Sequence, residues 1–465
     1  MFFKSKLFQE FRSCIYYLAR GRSFKMAPIS PPEAVKGMKE WKPELFNKKV
    51  ELPCLVVKSE HVSLLKAPLK NFVFKMPHLS NVQPAEMSEN ATGDTNIGGD
   101  KLIILSPQTV KSFGDLSTIQ EHLDNISVSD ENFCFKEFSL TSENWNPNEK
   151  LKHILPEGED VSGFSRIGHV IHLNLKDYTE PYKNVIGQVL MELPGIKTVV
   201  AKSSNIDNTY RNFELEVLAG DKDFEVTVKE NGNTFSFDFA KVYWNPRLST
   251  EHERIVKMLK SDSILFDACA GVGPFAIPAA RKCRVFANDL NPESYKWLQY
   301  NAKKNKIRED RIDCYNMDAR DFIKQVFLPE FLAMCKEENN QDVDIHITMN
   351  LPALAVTLID VFQGLLWNDR EKFSGKDFPL PLLHVYTFSK AEEPHKEVLQ
   401  RVEEYLGVTV DNVHLKEIAF VRSVAPNKDM YRASVMIPAE VLLRDISKRK
   451  IVVNAIDESN KRLKE

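Results

Sequence analysis

The sequence predicts an α/β chain whose C-terminal half is a doubly wound, largely parallel sheet. Three observations carry that expectation. From about residue 245, short apolar runs at 263–268, 284–288, 312–316 and 343–349 alternate with helical patterns at 276–281 and 292–305. The run Asp267-Ala-Cys-Ala-Gly-Val-Gly-Pro-Phe275 follows the first strand, and doubly wound sheets bind their ligands beyond the carboxyl ends of their strands. The next two strands are also followed by acids, Asp289 and Asp318.

The sheet continues through 384–388 and 417–421 to an alternating last strand at 430–437, so the domain is placed at 245–445. A small α/β domain is expected at 155–240. It begins with a strand at 167–175. A helix at 182–193 follows, with Val185, Ile186, Val189, Leu190 and Leu193 on one face. Further strands are expected at 197–202, 213–218, 224–230 and 233–239. Glu230-Asn-Gly-Asn233 joins the last two as a hairpin turn, since Asn-Gly tolerates positive φ. Residues 26–150 form an N-terminal domain with a strand at 101–106 and a helix at 117–124. Its polar segments, 81–100 and 141–150, read as an insertion and as the end of the domain. Residues 446–465 are a basic tail.

A chain of 465 residues, 43% hydrophobic and 27% charged, is an ordinary soluble globular protein of two to four domains. No apolar run is long enough for a membrane helix, so no membrane partner is expected. A net charge of −3 excludes gripping nucleic acid by bulk charge and leaves local basic faces, with candidates at 66–75, 301–308 and 448–464. The seven cysteines are scattered, without C-x-x-C pairs or zinc spacing, so neither a disulfide framework nor a metal site is expected. Residues 1–25 carry Lys4, Lys6, Arg12, Arg20, Arg22 and Lys25 against Glu10 alone, and Phe3, Leu7, Phe11, Ile15 and Leu18 recur at helical spacing. That is the pattern of a mitochondrial transit peptide. A second start at Met26 would yield cytoplasmic and nuclear forms.

In the glycine run, Gly271 and Gly273 keep side chains small where backbone passes close to a ligand. Gly271, Gly273 and Ala276 also satisfy the loose dinucleotide pattern, so NAD competes with S-adenosylmethionine; Asp267 before the glycines leans toward the latter. Asp289 is placed to hold both ribose hydroxyls. Asp318 is placed either to meet an adenine amino group or to cap a helix. No G-K-[ST] follows the glycines, which disfavours a phosphate cradle. After the fourth strand, Asn350-Leu-Pro352 occupies the slot that receives the substrate nucleophile in methyltransferases of this architecture. The absence of an aromatic at Ala353 favours a ring nitrogen over an exocyclic amine.

Four motifs in order resemble the eukaryotic and archaeal tRNA (guanine-37-N1)-methyltransferases over about 155–440. They are Val242-Tyr-Trp-Asn-Pro-Arg-Leu-Ser-Thr-Glu-His-Glu253, the Asp267 run, Asn350-Leu-Pro352, and Val421-Arg-Ser-Val-Ala-Pro-Asn-Lys428. The resemblance implies a Rossmann-like methyltransferase domain, a small middle domain and a tRNA-contacting N-terminal domain in a monomer that uses S-adenosylmethionine. It implies that Glu251 is the general base, that Arg211 contacts the guanine and that Asn350 and Pro352 form the target-base loop. It also implies that His252, Asp289, Leu290, Asp318, Ala319 and Asn350 touch the cofactor. The alternative within the same pathway is an aminocarboxypropyl transferase, and outside it a non-catalytic RNA-binding module.

The chemistry suits those residues. Guanine N1 must lose its proton before it attacks a methyl sulfonium, and a carboxylate can take it. A guanidinium stabilises the charge that grows on O6. Glu251 also reads as a first-turn helix acid and Arg211 as a structural or phosphate-binding cation. Tyr243 and Trp244 either stack on RNA or pack at a strand end. Arg422 and Lys428 are expected to face the RNA, and Cys269 has no thiolate role.

Overall fold

Apolar runs with no polar alternation make strands that are covered on both faces, and the C-terminal sheet is built from them. The structure is a computed structural model that describes residues 29–85, 99–159, 161, 164–206, 213–336, 343–373 and 377–445. Its seven-stranded sheet comprises β11 (Ile264–Asp267), β12 (Arg284–Asn288), β13 (Ile312–Tyr315), β14 (Ile345–Met349), β15 (Leu382–Ser389), β16 (Leu415–Ala425) and β17 (Lys428–Met436). Among the described residues ten strands precede these in the chain. The spatial order is β13-β12-β11-β14-β15-β17-β16. The first five run parallel, while β17 is antiparallel to both β15 and β16.

Neighbouring residues of β11 show the double cover. Leu265 packs in a core with Ala276, Ile277 and Leu298, whereas Phe266 stacks on Phe286 at 4.8 Å in a different core with Phe322 and Phe327. Helices α4 (Ala276–Ala280) and α5 (Pro292–Lys304) supply the first core, and α6 (Pro394–Leu406) contributes Val398 and Val402 to the second. A further helix, α3 (Ser249–Met258), precedes the sheet.

The expected hairpin is present as β9 (Glu225–Glu230) and β10 (Asn233–Asp238), with Asn231 and Gly232 at φ of 46° and 74°. The free edge of β10 meets two carboxamides of α5. Asn301 accepts from Ser236 N at 2.8 Å and donates to Ser236 O at 3.0 Å, and Asn305 pairs likewise with Thr234 at 2.9 and 2.7 Å. These amides stand in for a neighbouring strand and close the edge. A second sheet has the order β5-β6-β7-β8: β5 (Phe164–Ile167), β6 (Val170–Leu173), β7 (Thr198–Ile206) and β8 (Phe213–Gly220). The single strand expected at 167–175 is instead two, broken by Gly168 at φ 59°.

The chain divides into two compact units. One comprises residues 1–164, 174–199 and 218–220, and the other comprises 165–173, 200–217 and 221–465. In the first, β1 (Lys48–Lys58), β2 (Val82–Pro84), β3 (Asp100–Ile104) and β4 (Phe133–Leu140) form an antiparallel sheet, β2-β3-β1-β4. The segment 81–100, expected to be an insertion, thus contributes an edge strand, and its residues 86–98 lie outside those described. The polar stretch 141–150 begins helix α1 (Pro147–Ile154). Asn146 accepts from Glu149 N at 2.9 Å, and Glu149 accepts from Asn146 N at 3.1 Å, a capping box. Helix α2 (Lys183–Met191) buries Val185, Ile186, Val189 and Leu190 as its spacing predicts. The helix expected at 117–124 is shorter, Gln120–Asp124, after a 3₁₀ segment at Phe113–Ile119. Among the described residues no helix is long and apolar enough to cross a membrane, and no cluster has a metal-holding arrangement. The segment 1–25, Arg211 and the tail 446–465 lie outside the described residues.

Candidate active site

The turn after β11 is the centre of the site. Gly271 adopts φ +55°, and a Cβ there would meet nothing within 4 Å. Its amide donates to Asp289 Oδ2 at 2.8 Å, and the other oxygen of Asp289 accepts from Asn291 N at 3.0 Å. The acid after β12 therefore braces the glycine turn while lining the same pocket. Burial raises its pKa above the usual carboxylate value, against the pull of these amides. Asn288, fully buried, ties the loops together: it donates to Ala268 O at 3.1 Å and to Met317 O at 2.9 Å, and accepts from Met317 N at 3.0 Å.

Asp267 closes β11. Thr348 Oγ1 donates to its Oδ1 at 2.9 Å, and its Oδ2 is buried without a partner among the described residues. Burial pushes its pKa up to about 7. Gly273 has a different task. A Cβ there would lie 2.8 Å from Ile277 and Leu298, so this glycine lets helices α4 and α5 close on the turn and faces away from the pocket.

Asn350, Leu351 and Pro352, just after β14, line the pocket opposite the glycine turn in sequence. Tyr243 and Trp244 line it too. Trp244 is buried against Phe237 at 5.0 Å, while Tyr243 is half exposed. His252 is buried in the lining, 2.6 Å from Glu230 at its Nδ1 and edge-on to Phe275. Phe388, Arg422, Val424 and Met430 complete the side formed by β15–β17.

The TRM5/TYW2 methyltransferase domain family matches residues 226–360, and the TYW2 N-terminal domain family matches 148–223. The tRNA (guanine(37)-N(1))-methyltransferase of Drosophila melanogaster is 48% identical over 90% of this chain and 90% of its own length. The Xenopus tropicalis protein of the same name is 43% identical over 94% and 86%. The chain belongs to the tRNA (guanine(37)-N(1))-methyltransferase family. A crystal structure of Trm5b from Pyrococcus abyssi shares its fold, with a TM-score of 0.51 at 22% identity over 83% of this chain and 99% of that one. The doubly wound, Rossmann-like domain with its N-terminal domain is the fold expected of the family.

The site residues expected from the family motif do not all converge. Asp289, Gly271, His252, Asn350 and Pro352 share the pocket. Glu251 does not line it. Its carboxylate is buried and accepts from Tyr386 OH at 2.9 Å, Arg432 Nε at 2.8 Å and Arg254 at 2.6 Å. Arg432 is itself fully buried and also holds Glu417 at 2.8 Å and Ser434. Asp318 is exposed, caps the helix at Ala319–Phe322 by accepting from Arg320 N through Oδ1, and does not line the pocket. Ala319 is buried in the core and Leu290 is half exposed; neither lines the pocket.

Sequence reasoning missed Asn288, Asn291 and Arg432. Asn291-Pro292 carries a helix-start signal, with Asn291 as the N-cap of α5. Arg432 was marked by being a charge inside an otherwise apolar strand pattern. Asn288 had no local signal, because its partners come from two other loops.

Proposed function

We infer that this protein transfers a methyl group from S-adenosylmethionine to N1 of guanosine 37 in tRNA. One observation carries the reading: the glycine turn with Asp289 and the Asn350–Pro352 loop open into one pocket, in a chain whose relatives of that name match along nine-tenths of its length. The cofactor fits this pocket. The open space at Gly271 leaves room for a ligand, and Asp289 and Asn350 in the lining offer polar groups to it, whereas Asp267 is buried behind the turn and does not line the pocket.

When bound, S-adenosylmethionine supplies an electrophilic methyl group on a sulfonium and leaves as a neutral thioether. Asp289, already fixed by two amides, keeps lone pairs for ribose hydroxyls. Asn350 and Pro352, in the lining after β14, are the residues that receive the target base, with Tyr243 and Trp244 beside them in the same pocket. The base reaches this pocket by leaving its stack.

Glu251 remains the proposed acceptor of the N1 proton. That role requires its carboxylate to exchange Arg254, the one exposed member of its three donors, for the substrate. Glu251→Gln separates the readings. A fall in the single-turnover rate of the folded variant, beyond the loss of stability that removing the Arg432 ion pair causes, supports a base. A fall in stability with an unchanged rate assigns Glu251 to the ion-pair network alone.

The decisive experiment incubates labelled cofactor with tRNA transcripts bearing G or A at position 37 and weighs the product. A methyl increment on G alone is expected. An increment of an aminocarboxypropyl group would favour the second reading, which the TYW2 N-terminal match over 148–223 supports. We also propose a monomer, and import into the mitochondrial matrix on the basic amphipathic pattern of 1–25, with cytoplasmic and nuclear forms from Met26. A 1–30 reporter fusion that stays diffuse would remove the import reading.

A further inference from the structure

We propose that Arg247 and Arg422 form a clamp for the RNA phosphate beside the flipped nucleotide, at the mouth of the pocket; this rests on the tRNA reading above. Arg422 lines the pocket on β16. The ladder to β17 slips register on both sides of it, between Phe420 and Arg422 and between Ser423 and Ala425. Such bulges re-aim side chains next to active sites. Arg422 and Val424 both line the pocket.

Arg422 is half-buried, and its Nε donates to Ser423 O at 3.1 Å. Among the described residues neither terminal nitrogen has a carboxylate. Arg247 is exposed on the 3₁₀ turn Pro246–Leu248; the N-cap Asn245 and Leu248 of that turn line the pocket, and Arg247 lies beside them outside the lining. It too has no carboxylate partner among the described residues. The two cations are near enough that Arg247, after burial, pushes the Arg422 pKa down. Lys428, on the facing strand, sits 4.4 Å over the Phe388 ring, again without an acid.

Unneutralised like charges side by side are costly, and an anion between them removes the cost. The chain as a whole has a net charge of −3, so this cationic rim is not a by-product of bulk charge. A planar guanidinium pair matches phosphate oxygens bidentately. A nucleotide turned out of its stack presents its flanking phosphates at the pocket mouth. Phosphate contacts of this kind set register without reading sequence.

The test measures tRNA binding by the full chain across a salt series, with a guanosine-37 transcript, for the wild type, Arg247→Gln, Arg422→Gln and both lysine variants. Each glutamine variant is expected to weaken binding and to flatten the slope of log K against log[salt] by about 0.7. The lysine variants should keep the slope but lose part of the affinity, and S-adenosylmethionine affinity should stay at the wild-type value in the Arg247 variants, whose side chain is outside the pocket lining. A wild-type slope in both glutamine variants overturns the clamp. So does loss of cofactor affinity with tRNA binding intact, which would assign Arg422 to the cofactor side. A wild-type protein that neither binds nor methylates tRNA overturns the function itself, and the clamp with it.

Discussion

Asp267 keeps one carboxylate oxygen on Thr348 and the other without a partner, at full burial, with its pKa raised from 3.8 to about 7. An acid shifted upward binds its proton more tightly folded than unfolded. Its contribution to stability is therefore complete below about pH 4 and is lost as pH rises through about 7. Asp267→Asn removes that titration and can still accept from Thr348. Whatever fixed cost the amide carries, the variant should gain on the wild type by about 3 kcal/mol between pH 5 and pH 8. Urea midpoints of the cofactor-free proteins at the two pH values check this, and a pH-independent difference would refute it. Glu251 has the opposite environment: every oxygen is already donated to. Glu251→Gln leaves Arg432 buried with half its charge balance, and should cost about 3 kcal/mol by the same measurement.

At the scale of elements, the two glycines of one turn have separate duties. Gly271→Ala meets no atom within 4 Å but holds φ +55°, so it should cost about 1 kcal/mol of stability while lowering S-adenosylmethionine affinity. Gly273→Ala collides with Ile277 and Leu298 and should cost about 2–3 kcal/mol, with the cofactor affinity of the folded fraction less affected. Urea melts paired with equilibrium dialysis distinguish the two. Sequence periodicity could not assign these duties, since both residues satisfy one pattern. The parallel strands were legible because burial on both faces makes them continuous apolar runs. The hairpin was legible because Asn231-Gly232 demands positive φ. Strands β1 and β4 were not. In β1, Lys48, Lys49 and Glu51 interrupt the apolar residues, and its pairing with β4 joins segments about 85 residues apart in the chain. At the site, acids that follow strands are easy to place near a pocket. Whether such an acid lines the pocket, as Asp289 does, or caps the next helix, as Asp318 does, depends on where the following turn sends the chain.

For the whole molecule the question is how a chain of net charge −3 holds a polyanion. Residues 1–25 contain six cations and one anion, so a form starting at Met26 carries −8. If tRNA were held by overall charge, that form would bind far more weakly and with a changed salt response. If it is held by cations placed at a site, such as Arg247, Arg422 and Lys428, the response depends only on how many phosphates those groups neutralise. Among the described residues the buried apolar side chains run from Val35 to Leu442, and all of these are present in the shorter form. It should therefore match the full chain in urea midpoint, in kcat/KM for a guanosine-37 transcript, and in the slope of log K against log[salt]. A slope flatter by about 0.7 for each lost cation in the shorter form would mean that the N-terminal segment itself lies on the RNA. An equal slope would place the whole electrostatic footprint on the folded domains, leaving the first 25 residues free to act as an address alone.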